Sequence, residues 1–135
     1  MSRPQNYPSY IDEGKSALDV QIGGGYYKLC CMQPIEFIVR ADLNFIQGCI
    51  VKYITRYKNK NGIEDLNKII HYCELAIQLY RDSDKRPFID YALCKQYCEA
   101  NKLTKTQQNI INSVVRDDYA NVILNCKRLI KQEYS

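Results

Sequence analysis

Residues 44–72 read NFIQGCIVKYITRYKNKNGIEDLNKIIHY. Leu43, Ile46, Ile50, Tyr53 and Tyr57 recur at three- and four-residue steps. That spacing puts side chains on one face of an α-helix. After Asn61-Gly62, a dipeptide that favours turns, the same rhythm returns in Ile63, Leu66, Ile70, Cys73, Ile77 and Tyr80. Two amphipathic helices, over 42–57 and 63–80, joined by a short turn predict an antiparallel helical hairpin.

Outward from the hairpin, Pro34 suits the first position of a short helix over 35–41, where its missing N–H is not needed. Downstream, the charged stretch 81–86 and Pro87 lead into three further predicted helices, 88–100, 105–116 and 119–132. Thr104 and Gln107 have the spacing of a capping box, which marks the start of the middle one. Tyr119, Val122, Ile123, Cys126, Leu129 and Ile130 give the last one an apolar face. Strand-like alternation and internal repeats are absent from the sequence. The expected fold is all-α: a hairpin core at about 42–80, a short preceding helix and about three C-terminal helices. Residues 1–25 are rich in Pro, Gly and Ser and end in Gly23-Gly24-Gly25, so they read as a flexible or extended arm. Residues 26–135 read as a single helical domain.

Composition narrows the function classes. A chain of 135 residues with 46% hydrophobic residues can bury a core without disulfides. A net charge of +4 is too weak to argue for non-specific DNA binding, so charge placement matters more than the total. The longest apolar runs are too short for a transmembrane helix, and residues 1–10 lack the apolar segment of a signal peptide. Seven cysteines, an odd count without a Cys-x-x-Cys pair, read as reduced thiols packed as small hydrophobes in a cytosolic protein. His71 is the single histidine, so a metal centre is not expected.

Charge is concentrated in one place. Lys52, Arg56, Lys58 and Lys60 fall within nine positions, with no acidic residue among them. Lys52 and Arg56 are four apart and share a helix face, with Phe45 and Gly48 earlier on roughly the same side. Gly48 costs about 1 kcal/mol of helix stability relative to Ala, which calls for close approach by another helix or a ligand. The planar Arg fork and the Lys point charge together suit phosphate oxygens. Glu64 and Asp65 complement the dipole at the start of the second helix, and Glu64 is spaced to pair with Lys68. A sharper reading has one of these carboxylates orienting Lys52 or Arg56, or holding Mg²⁺. A solvated basic face with ordinary ion pairs accounts for the same residues. A P-loop is absent, His71 has no obvious Ser or Cys partner for a triad, and a multi-carboxylate cluster is hard to build because helix 42–57 carries only Asp42.

Segments 20–28 (VQIGGGYYK), 33–38 (QPIEFI) and 44–72 together resemble a small domain family common in tailed-phage genomes. That family was long labelled as of unknown function and includes a podovirus nucleotide kinase that lacks a P-loop. The resemblance covers roughly residues 20–80, a family core at 26–81 with 87–135 as a C-terminal extension. It implies a phage-encoded protein acting on nucleotides in the cytoplasm of the infected bacterium. Carried onto this chain, the implied phosphate-holding residues are Tyr26, Tyr27, Lys28, Lys52, Arg56, Tyr57, Lys58, Lys60, Glu64, Asp65 and Lys68, with Tyr26, Tyr27, Tyr53 or Tyr57 stacking a base. The implied activity is that of a nucleoside monophosphate kinase, with Mg²⁺ the cofactor to consider. Relatives often carry Asp-His where this chain has Gly25-Tyr26, and Asn where it has Cys49. Those departures favour an alternative, a non-enzymatic sponge that sequesters the cyclic nucleotide signals of bacterial defence. A third reading is a helical module that binds a host protein. An amphipathic hairpin and 12 tyrosines also suggest a homo-oligomer.

Overall fold

The computed structural model describes residues 32–80 and 88–135, together with Ala17. Among these residues are six α-helices: α1 (Pro34–Arg40), α2 (Phe45–Arg56), α3 (Ile63–Leu79), α4 (Tyr91–Ala100), α5 (Lys105–Val115) and α6 (Tyr119–Tyr134). A 3-10 turn, Tyr57–Asn59, follows α2. No strand occurs among the described residues, and the all-α expectation holds. No helix among them is long and apolar enough to cross a membrane. The arm over 1–25, Cys30, Cys31 and the linker 81–87 lie outside the described residues.

The hairpin forms as the periodicity predicts. Arg56 meets Asp65, Tyr53 meets Lys68 and Cys49 meets Tyr72. Each step back along α2 thus matches a step forward along α3, which is antiparallel pairing. The α2 start lies three residues later than predicted. Asp42 takes a positive φ of 55°, which a helix does not tolerate, and Asn44 becomes the cap instead. Its Oδ1 accepts from the Gln47 N–H at 2.8 Å, while Gln47 Oε1 accepts from the Asn44 N–H at 3.0 Å. Thr104 and Gln107 form the same reciprocal box, as their spacing predicts. Helix α4 likewise starts late, because Asp90 caps the Leu93 N–H at 3.0 Å. Helix α6 runs two residues past its predicted end, to Tyr134.

Helix α2 lies at the centre, packed by α1, α3 and α5. Its buried set is therefore wider than the single predicted stripe: Val51, Ile54, Gln47 and Thr55 join Ile46, Ile50 and Tyr57. The buried amides and the Thr55 hydroxyl on and against α2 find partners, as burial requires. Gln47 Nε2 donates to the Val114 carbonyl at 2.9 Å and Gln107 Nε2 to the Ile54 carbonyl at 2.8 Å. Thr55 Oγ1 lies 2.6 Å from the Tyr97 hydroxyl. Helix α3 packs on both α2 and α6, which rotates its buried face to Leu66, Ile69, Cys73 and Ala76 and leaves Ile63 and Ile77 exposed. Cys73, Cys94, Cys98 and Cys126 are buried, and burial pushes the Cys98 and Cys126 thiols up to about 12. These four pack as hydrophobes, in line with their sequence reading.

Both unusual glycines have a steric cause. A Cβ on Gly48 would stand 3.1 Å from Ile38 Cγ2, so α1 supplies the close approach that the helix-breaking residue implied. Gly62 has φ +56°, and a Cβ there would stand 3.1 Å from the Tyr134 hydroxyl. Gly62→Ala is accordingly expected to cost about 1–3 kcal/mol, measured by urea denaturation. A loss below about 0.5 kcal/mol would mean that the turn relaxes freely.

Candidate functional site

The antiparallel register brings three cations to one aromatic ring. Lys52 Nζ lies 5.3 Å from the Tyr53 ring centre, Arg56 Cζ 4.9 Å and Lys68 Nζ 5.3 Å. The first two lie on α2 beside Tyr53, and Lys68 arrives from α3 across the hairpin. Each contact with the ring face is worth roughly 0.5–1 kcal/mol at partly exposed sites. Tyr72 stacks on Tyr53 with centroids 6.1 Å apart and planes 22° from parallel. Tyr53 therefore has its faces engaged by its own neighbours and acts as a scaffold for the cations. Tyr57 is fully buried, with its hydroxyl donating to Glu133 at 2.8 Å. A base-stacking role would need either ring to leave these positions.

Beneath the cations lies one buried carboxylate. Asp65 is fully buried, with Oδ2 3.4 Å from Arg56 Nε and Oδ1 3.9 Å from Lys68 Nζ. Asn61 Nδ2 donates to Oδ1 at 3.5 Å. The Arg56 contact is a charge contact, for its geometry makes no hydrogen bond to Oδ2. Asp65 faces Arg56 and Lys68, while Lys52 has no ion-pair partner among the described residues, and this local excess of basic side chains favours an anion.

The other sequence-derived candidates separate from this group. Lys58 is drawn 3.8 Å from Glu133 of α6, and Lys60 is exposed on the turn. Glu64 is exposed, and Lys68 approaches Asp65 where the spacing predicts a pair with Glu64. Phe45 is exposed and Gly48 faces α1, so neither joins the cluster. Tyr26, Tyr27 and Lys28 lie outside the described residues. Glu64 and Asp65 do not fit a Mg²⁺ site: Asp65 is committed to two cations and Glu64 is exposed. No group of three His, Cys, Asp or Glu side chains suited to a metal occurs among the described residues.

At the edge of the cluster, Cys49 and Tyr53 are the neighbours that act on the Tyr72 phenol. The Cys49 charge and hydrogen bond, with burial and Tyr53 adding to them, hold that phenol above its ordinary range. Tyr72 is thus a neutral hydrogen-bonding group at neutral pH. Its place follows only from the register, which pairs it with Cys49.

Residues 25–74 match the model of DUF3310, a protein family of unknown function. The DUF3310 segment takes in α1, α2, the turn and most of α3, and so contains every residue of the cation cluster. It does not reach α4, α5 or α6. No curated protein and no solved structure matches the chain.

Proposed function

We propose that this chain binds nucleotides by their phosphates, at the α2–α3 cluster of Lys52, Arg56 and Lys68. The observation that carries the reading is the gathering of three cations around Tyr53 over a single buried carboxylate. Arg56, steadied by Asp65 and the ring, would offer its fork to phosphate oxygens, with the two lysines as mobile point charges. Lys60 extends the positive surface towards a longer phosphate chain. The resemblance of residues 20–80 to phage proteins supports a nucleotide ligand and action in the cytoplasm of an infected bacterium. It also supports phosphoryl transfer from ATP to a nucleoside monophosphate, a reaction that is mostly positioning and charge stabilisation. A homo-oligomer belongs to the same reading.

One observation favours holding the ligand over reacting with it. Cys49 stands against Tyr72 at the cluster's edge, where relatives of the phage family often carry Asn. On that basis the second reading is a sponge for cyclic nucleotides. Incubation with ATP and each deoxynucleoside monophosphate separates the two. Diphosphate products identify a kinase; intact ligand recovered after denaturation, without product, identifies a sponge. Neither product nor bound ligand across linear and cyclic nucleotides would refute nucleotide binding itself.

A further inference from the structure

The last turn of α6 reaches the basic turn from outside the DUF3310 segment. Tyr57, the cap of α2 and the first residue of the turn, donates its hydroxyl to Glu133 Oε2 at 2.8 Å, with Oε1 at 3.2 Å. The same carboxylate lies 3.8 Å from Lys58 Nζ. Tyr134 closes over Gly62, where a Cβ would stand 3.1 Å from its hydroxyl. Within the turn, the Gly62 N–H donates to the Tyr57 carbonyl at 2.8 Å. One carboxylate on α6 thus holds the residue next to Arg56 and faces one lysine of the basic patch.

We propose that Glu133 is a positioning residue for the basic turn. It ties Tyr57 in place, and so fixes the end of α2 that presents Arg56. It also offsets the charge of Lys58 and so sets how strongly the turn attracts anions. The second role rests on the phosphate-binding reading; the first does not. Tyr57 is buried with Glu133 in place, so its hydroxyl is held by this carboxylate and not by solvent. The C-terminal helix is then a working part of the site.

The two roles separate by variant. Glu133→Ala removes both the acceptor and the charge, whereas Glu133→Gln keeps an acceptor for Tyr57 and removes only the charge. Hydrogen exchange at the Gly62 amide reads the shape of the turn. We expect it to quicken about fivefold in E133A, the effect of one lost hydrogen bond, and to stay near the unmodified rate in E133Q. Tyr57→Phe cuts the same bond from the other side and should quicken it similarly. Unchanged Gly62 exchange in both E133A and Y57F overturns the positioning role. Titration with inorganic pyrophosphate reads the charge: E133Q should bind it about two- to fivefold more tightly, the scale of an exposed ion pair. Equal or weaker binding overturns the charge role. If neither the unmodified protein nor E133Q binds pyrophosphate, the charge role falls with the phosphate-binding reading, and Gly62 exchange alone still decides the positioning role.

Discussion

Asp65→Asn is expected to destabilise the fold by about 3 kcal/mol, a drop in Tm on the order of 10 °C for a chain of this size. Asn keeps the shape of the side chain and removes only its charge. Asp65 is fully buried and Arg56 is only 16% exposed, so the guanidinium would lose the Asp65 charge in a low-dielectric setting. Partial solvent access to Arg56, and Lys68 at 38% exposure, places the loss at the low end of the range for broken buried pairs. The double variant R56Q/D65N should cost clearly less than the sum of the two single changes, because removing both charges leaves none orphaned. Inorganic phosphate should stabilise D65N more than the unmodified protein, since a bound anion would replace the missing carboxylate. A D65N loss below about 0.5 kcal/mol would show that solvent, not Asp65, balances Arg56.

The second large effect concerns the ligand. Lys52→Ala with Lys68→Ala should weaken nucleotide binding about 100-fold. Hydrogen bonds to charged groups contribute at least about 1.5 kcal/mol each, close to tenfold apiece. Stability should fall by no more than about 1–2 kcal/mol, the loss of two contacts with the Tyr53 ring. Lys52 has no ion-pair partner among the described residues, and the Lys68 pair is long at 3.9 Å and partly exposed. Loss of binding by a variant that still unfolds cooperatively separates a ligand site from a structural cluster, which an Arg56 variant does less cleanly because it breaks the buried contact with Asp65.

The hairpin was legible because it rests on local rules. Three- and four-residue spacing, a turn dipeptide, one capping box and the prolines at 34 and 87 place the starts and ends of all six described helices to within about three residues. The Asn44–Gln47 box follows the same pattern as Thr104–Gln107 and was open to the same reasoning. Side-chain faces were less legible. Helix α2 contacts three neighbours, so Val51 and Ile54 are buried off the predicted stripe. In the site, the local reading gathers Lys52 and Arg56 correctly on one face. It has no means of seeing that Tyr53 becomes the hub, that Asp65 is wholly buried, or that Lys58 is diverted to α6. Those facts depend on register across the hairpin and on a contact between residues 57 and 133. The end of α6 carries no sequence signal for that contact.

Calorimetric titration of the intact protein with nucleoside monophosphates, diphosphates and cyclic dinucleotides, alongside K52A/K68A, tests the central claim most directly. Micromolar binding of at least one ligand class, weakened about 100-fold in the double variant while the fold is retained, is the predicted result. Absence of binding across the panel, or binding that survives loss of both lysines, would contradict a phosphate site on α2 and α3.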